Sequence, residues 1–217
     1  MVILSQLEAG RRLARGVSLV LGDTPLVLAI SAGGARVAAE MARVLGAPFD
    51  MMAGQRLEVP GRPHSVFGAV ADGTVVLLAD RIRQLELPPG YVDSLIELAR
   101  EQVGRITATR RGSEQAIPFA GRSVVLVDDG SADAILVRSA ATALREAGAK
   151  RLVFAAPLAS MDLYQELQAL VDDRVLLEEP GSTTQVRDPS FSQTTEFDIH
   201  DLVSSNRRSM SGSAQPI

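Results

Sequence analysis

Apolar and polar positions follow two alternating periods along this chain. Short β-rich apolar runs are followed by stretches whose apolar residues recur every three or four positions, which predicts a mainly parallel sheet with helices on its faces. The first run, Leu26 to Ile30, leads through Ser31-Ala32-Gly33-Gly34 into a helical stretch from about Ala35 to Leu45, with Gly46 as its C-cap. Phe49 to Ala53 reads as a second buried strand. Beyond a loop holding Pro60, Gly61 and Pro63, the runs Val66 to Ala71 and Thr74 to Ala79 flank Asp72-Gly73. That pair tolerates the positive φ values of a type I′ turn, so a hairpin is expected.

From Tyr91 to about Thr109 the residues Val92, Leu95, Ile96, Leu98, Ala99, Val103 and Ile106 recur at three- and four-residue spacing, as on one helix face, and Arg110 to Ser113 follow as a loop. The most ordered signal comes next: a strand from Ser123 to Val127, a turn Asp128-Asp129-Gly130-Ser131, and a helix from about Asp133 to Ala147 closed by Gly148. Lys150 to Ala156 and Arg174 to Leu177 read as strands around a helix from Met161 to Val171. The chain then reads as loop to Ser192, a short helix from Glu196 to Val203, and a frayed tail from Ser204 to Ile217. The expected organisation is one domain over residues 1–203, with hood and flexible elements at about 55–120, and a disordered tail over 204–217.

Length and composition narrow the classes. The 217 residues suit one domain with a modest elaboration. With 46% hydrophobic and 22% charged residues, collagen-like, coiled-coil and wholly disordered chains are excluded. Lys and Arg number 22 against 26 Asp and Glu, a net charge of -4 that argues against a nucleic-acid partner, since phosphate backbones demand concentrated positive charge. No cysteine is present, which removes disulfides, zinc-thiolate sites, iron–sulfur ligation and thiol nucleophiles, and makes a reducing cytoplasm the simplest compartment. No apolar run is long enough to cross a membrane, and the basic residues of MVILSQLEAGRR follow the apolar ones, the reverse of a secretory signal, so the segment reads as the start of the mature fold.

In open parallel sheets ligands bind beyond the carboxyl ends of strands, where helix N-termini offer free amides. Two segments qualify, Ser31 to Gly34 and Asp128 to Ala134. The stretch VVLVDDGSADAILVRSAATALREAGA resembles the ribose-phosphate motif of type I phosphoribosyltransferases, in a bacterial branch of that superfamily. Further likenesses are Ala32-Gly33-Gly34 for an Arg-Gly-Gly turn, Pro60 to Pro63 before Gly68-Ala69-Val70, the Arg-rich Glu101 to Gly112, and Pro189 to Gln193 for an Asp-Phe-Ser-Gln element. The resemblance covers roughly Leu7 to Val203. It implies an α/β three-layer sandwich with a central, mainly parallel sheet and a small hood.

The resemblance also implies a chemistry: transfer of 5-phosphoribose from phosphoribosyl pyrophosphate to a nitrogen nucleophile, with Mg²⁺. Asp128 and Asp129 would hold the ribose hydroxyls and approach the metal's water shell, because adjacent carboxylates accept hydrogen bonds from a vicinal diol. Gly130, Ser131, Ala132, Asp133 and Ala134 would form the phosphate loop, and Gly33 and Gly34 would admit pyrophosphate. Arg56, with Arg110 or Arg111 from a mobile segment that also holds Arg105, would stabilise the leaving charge. The acceptor would meet Leu57 to Ser65 and residues near Phe191.

Two departures stand against that pattern. Where the family has Ala-Thr-Gly-x-Thr, this chain has Ala132-Asp133-Ala134-Ile135-Leu136, so two hydroxyls and a glycine are replaced and a carboxylate is added. Ala32 stands where arginine is usual, with Arg36 one short turn on, and Gln55 replaces one of a basic pair. Asp133 reads either as a helix N-cap filling the vacated anion seat or, with Asp128 and Asp129, as part of an acidic pocket for a cation or a hydroxyl-rich neutral ligand. The chain is therefore expected to be an active transferase or a catalytically inactive binding or regulatory relative, as a homodimer or beside an intact paralogue. A dinucleotide site lacks the G-x-G-x-x-G spacing. A serine hydrolase lacks a G-x-S-x-G elbow near His64 or His200.

Overall fold

The computed structural model describes residues 5–62, 64–112, 115–178, 180 and 195–212. Five parallel strands make the central sheet: β1 (Leu26–Ala29), β2 (Phe49–Met51), β6 (Ser123–Val127), β7 (Arg151–Ala156) and β8 (Asp173–Leu176), in the order β2-β1-β6-β7-β8. Three antiparallel strands, β3 (Gly54–Glu58), β4 (Val66–Ala71) and β5 (Thr74–Leu77), form a separate small sheet, the hood.

Strand alternation builds three layers. Val27 and Ala29 of β1, Val125 and Val127 of β6, and Val153 and Ala155 of β7 face one cluster with α1 (Gln6–Val20), α2 (Ala32–Leu45) and residues Ile199 and Val203 of α7 (Glu196–Gly212). Their neighbours Leu26, Leu28, Val124, Leu126, Leu152 and Phe154 face the other, with α5 (Ala134–Glu146) and α6 (Met161–Leu170). Because the inner strands of this sheet are buried on both faces, they read as unbroken apolar runs. A third cluster lies under the hood, where Leu57, Phe67 and Val70 meet Val92, Ala99 and Val103 of α4 (Pro89–Arg111). The short α3 (Ala79–Gln84) joins the two. Ser139 of α5 donates to the carbonyls of Ala69 and Thr74, so a buried hydroxyl stitches the hood to the core.

The expected hairpin is present, with Asp72 at φ 46° and Gly73 at φ 85°. Gly46 caps α2 at φ 60°. Besides α3, which opens at Ala79 where the strand from Thr74 was expected to run on although β5 stops at Leu77, three further elements differ from the sequence reading. Phe49 to Ala53 is not one strand: β2 stops at Met51 and the chain crosses to the hood as β3. The N-terminal helix α1 is additional to the expected elements, although Ser5 caps it by accepting from the Glu8 amide and Ala9, Leu13, Ala14 and Val17 make its buried stripe.

The third difference is the tail. Residues 204–212 are helical rather than frayed, because α7 is held by side chains that its composition does not advertise. Asn206 accepts from the Phe49 amide at 2.8 Å and donates to the Ala47 carbonyl at 3.2 Å, and Arg207 pairs with Asp50 at 3.0 Å. These contacts fasten α7 along β2, the edge strand of the sheet. Pro63, Ser113, the expected element Pro189 to Gln193 with Phe191, and residues 213–217 lie outside the described residues.

Candidate functional site

The site lies at the sheet's switch point. From β1 the chain runs through α2 outward to β2, and from β6 through α5 the other way to β7, so the loops after β1 and β6 meet at the carboxyl edge. Ser31 joins them: its hydroxyl caps α2 by accepting from the Gly34 amide at 3.0 Å and donates to Asp129 Oδ1 at 3.2 Å. Gly34 is required by this approach. A Cβ there would lie 3.2 Å from Asp128 Cα and from the Val127 carbonyl oxygen, and 2.9 Å from Ser31 Oγ. Gly33 sits one residue earlier in the first turn of α2, where its carbonyl accepts from Gln6.

Asp128 is fully buried at the end of β6. Its Oδ2 accepts from the amides of Gly130 at 2.7 Å and Ala132 at 3.0 Å, while Oδ1 has no hydrogen-bond partner. Burial and the adjacent Asp129 charge push its pKa up to about 6, against the pull of the Ala132 and Gly130 amides. Asp129 is half-buried, and its Oδ1 also accepts from the Ser131 amide at 3.2 Å and the Ser131 hydroxyl at 2.5 Å. Gly130, at φ 92°, makes the sharp turn against Leu158.

Asp133 occupies the N-cap of α5. Oδ1 accepts from the Leu136 amide at 3.1 Å, and Oδ2 accepts from Arg56 Nη1 at 3.2 Å. Thus the Gly130, Ser131, Ala132 and Leu136 amides, donors that a phosphate loop would offer to a ligand, are all spent on the chain's own carboxylates. Ala134 follows in the first turn. Leu136 is turned to packing: a Cβ on Gly54 would fall 2.6 Å from its Cδ1.

The basic residues are distributed differently from the expectation. Arg56 reaches the start of α5 from β3, so it does approach the loop, but as the partner of Asp133. Arg110 and Arg111 are in the last turn of α4 rather than in the loop expected from Arg110 to Ser113, and Gly112 caps that helix. Arg110 is buried, and its carbonyl lies 3.2 Å from His200 Nδ1. Arg111 pairs at 3.3 Å with Asp50, whose other oxygen is held by Arg207. Packing of α4 and α7 over β2 therefore commits Arg111 and Arg207 to a buried carboxylate. Arg105 pairs with Glu101, and Arg36 with Asp198, both at the surface. The Asp50 cluster is not legible from sequence, since its members are 50, 111 and 207 in the chain.

Among the described residues no three His, Asp or Glu side chains form a metal-ligating group. Asp129, half-buried, makes its hydrogen bonds through Oδ1, and its Oδ2 has no hydrogen-bond partner among the described residues. That donor set suits a Mg²⁺ ion carried in by a substrate phosphate better than a resident ion. No described helix is long and apolar enough to cross a membrane.

The family model for the phosphoribosyl transferase domain matches residues 4–188. Two Mycobacterium tuberculosis proteins, from strains CDC 1551 / Oshkosh and ATCC 25618 / H37Rv, bear a provisional phosphoribosyl transferase name; each is 34% identical over 200 residues, covering 88% of this chain and 44% of its own length. The chain thus spans less than half the length of these curated relatives. The crystal structure of TT1426 from Thermus thermophilus matches with a TM-score of 0.78 and 27% identity, over 94% of this chain and 98% of that one.

Proposed function

Because the chain belongs to the phosphoribosyl transferase domain family, we propose that it serves as a binding relative which keeps the family's ribose-holding acid pair and has given up the seat for the donor's 5′-phosphate. The observation that carries this reading is Asp133, whose carboxylate caps α5 and bonds Arg56 where an incoming phosphate would need both. Two like charges about 5 Å apart at an effective dielectric of about 20 repel by roughly 3 kcal/mol. The two hydroxyls absent from positions 133 and 136 forfeit a further ~1.5–3 kcal/mol each where they would meet a charged oxygen. Together these losses are enough to move micromolar donor binding beyond the millimolar range.

The rest of the transfer machinery points the same way. Leaving-group stabilisation needs cations that face the pyrophosphate, yet Arg111 is bound to Asp50 and Arg56 to Asp133. Asp128 and Asp129 remain suited to a vicinal diol. Mg²⁺ enters this reading only with a phosphorylated ligand, through Asp129 and water. A cytoplasmic setting, and pairing with a second copy or an intact paralogue, belong to the same proposal.

Titration calorimetry with phosphoribosyl pyrophosphate and Mg²⁺ tests it. A binding relative gives no heat of association at micromolar donor while showing a cooperative thermal transition. Micromolar binding, followed by release of pyrophosphate with any nitrogen nucleophile, would make the chain an active transferase instead.

A further inference from the structure

Away from the donor site, on the face of the sheet covered by α1, α2 and α7, a second seat is open. We infer that the groove between these helices binds a free aliphatic carboxylate, its chain on an apolar floor and its head group on Arg36 and Arg43.

The groove follows from how the helices cross. Gly10 lets α1 lie close on α2, since a Cβ there would fall 2.6 Å from the Val37 carbonyl oxygen, and Ile199 and Val203 seat α7 on the core beside α2. Between those two contacts the apolar side chains that α2 presents are Ala39 and Ala42, too short to fill the wedge. A cavity of about 460 Å³ results, a size typical of small-molecule sites. Leu202, Leu7 and Met210 complete its apolar lining, and the last two stay 51% and 37% exposed. Among the described residues no aromatic side chain lines it, so it suits a flexible chain better than a flat ring.

Charge at the rim selects the head group. Together α1 and α2 carry five arginines against two glutamates, although the net charge of the chain is -4. Glu40 lines the groove but is already held: Arg43 Nε and Nη2 donate to it at 2.8 Å and Arg11 Nε at 2.7 Å, and these guanidiniums lower its pKa to about 2. Two guanidiniums on one carboxylate leave a positive charge over. Arg36 Nη2 has a 3.5 Å contact with Asp198, and the α7 wall from Leu202 to Met210 contains no acidic residue. Arg43 Nη1, and Arg36 Nε and Nη1, have no hydrogen-bond partner among the described residues, on side chains 65% and 45% exposed. A carboxylate can take charge-assisted bonds from such donors. A neutral head group gains nothing from the surplus charge, and a cationic one is repelled.

An NMR titration of the isotope-labelled chain with octanoate, hexanoate, octanol and octylammonium tests this. Octanoate is expected to give saturable shifts confined to the amides of 36–47 and 202–210. It should bind at least about threefold more tightly than octanol and about tenfold more tightly than octylammonium, the scale of a solvent-exposed charge contact. Hexanoate, two methylenes shorter, should bind about fivefold less tightly than octanoate. Arg43→Gln should bring octanoate to the octanol level and leave octanol where it was. If the thermal transition of that variant falls below wild type, Arg36→Gln carries the same test. Octanol or octylammonium binding as tightly as octanoate overturns the inference, as does octanoate affinity unchanged in the folded variant. Absence of saturation overturns it too, and so do equal shifts around the exposed Tyr91 and Leu98 of α4, which would mark unspecific partition. A dimer in light scattering that buries the groove amides and leaves octanoate unbound would assign the groove to a second copy instead.

Discussion

Arg56 Nη1 donates to Asp133 Oδ2 at 3.2 Å, joining the hood to the first turn of α5 across 77 residues of sequence. Neither residue is well buried, so the pair adds little to stability: exposed ion pairs contribute at most about 1 kcal/mol. Its consequence is electrostatic. The hood cation that reaches the loop is neutralised by the loop itself, and a helix N-terminus that favours anions is already satisfied by one.

Asp128 gives a pH signature. Its folded pKa is raised to about 6 from 3.8, so folding favours its protonated form. The associated stability is complete below pH 4 and is lost as pH rises through 6, a change of about 3 kcal/mol at 1.36 kcal/mol per unit. Asp128→Asn removes that titration, while its amide oxygen can still accept from Gly130 and Ala132. Urea unfolding at pH 4 and pH 7.5 should therefore show the variant gaining on wild type by about 2–2.5 kcal/mol between the two. A difference that stays flat across this window would mean Asp128 is ionised throughout in the folded protein.

Local pattern makes some of this molecule readable and long-range contact hides the rest. The strands from Leu26 and Ser123, the Asp72-Gly73 turn and the cap at Gly46 each follow from a few adjacent residues. So does Asp133 as an N-cap. The helix α1 carries the same kind of signal in Ser5, Glu8 and the stripe from Ala9 to Val17, so it is legible in principle from adjacent residues alone. By contrast β3 buries only Leu57, and its polar neighbours Gln55, Arg56 and Glu58 resemble a loop until β4 supplies partners. The destinations of Arg56 and Arg111 depend on tertiary placement that no spacing encodes.

The end of the fold shows the limit most clearly. Residues 204–209, Ser-Ser-Asn-Arg-Arg-Ser, have the composition of a solvated tail, but Asn206 and Arg207 hold β2 and the buried Asp50. Arg207→Ala leaves Asp50 with Arg111 as its remaining cation beside the Met51 and Ile117 amides, and removes a donor to the Gln115 carbonyl. Disrupting a buried, hydrogen-bonded ion pair costs about 3–5 kcal/mol, and the surviving arginine brings the expectation here to about 2–4 kcal/mol. Urea denaturation measures it, and amide exchange across Glu196–Gly212 should accelerate with it. A loss below about 0.5 kcal/mol would return this helix to the status of a dispensable tail.

Restoring the family's loop is the most direct challenge to the account of the donor site. The combined change Asp133→Thr, Ala134→Gly, Ile135→Ala and Leu136→Thr reinstates two hydroxyls, frees Arg56 and removes the negative charge from the helix start. It also strips apolar contacts, since Leu136 packs on Gly54 and Ile135 is buried. Truncating two such side chains costs about 2–5 kcal/mol each where the site cannot collapse, and less at this half-exposed edge. A second version that keeps Ile135 and Leu136 and changes only Asp133→Thr with Ala134→Gly separates stability from recognition. Both versions should bind phosphoribosyl pyrophosphate with Mg²⁺ at least about tenfold more tightly than wild type, worth about 1.4 kcal/mol or more. The fourfold variant should bind tighter still where it remains folded, because it alone carries the second hydroxyl. If a folded graft leaves donor affinity where wild type has it, then Asp133 is not what closes the seat. The missing cation at Ala32 would then be the controlling defect, and Ala32→Arg the variant that restores binding.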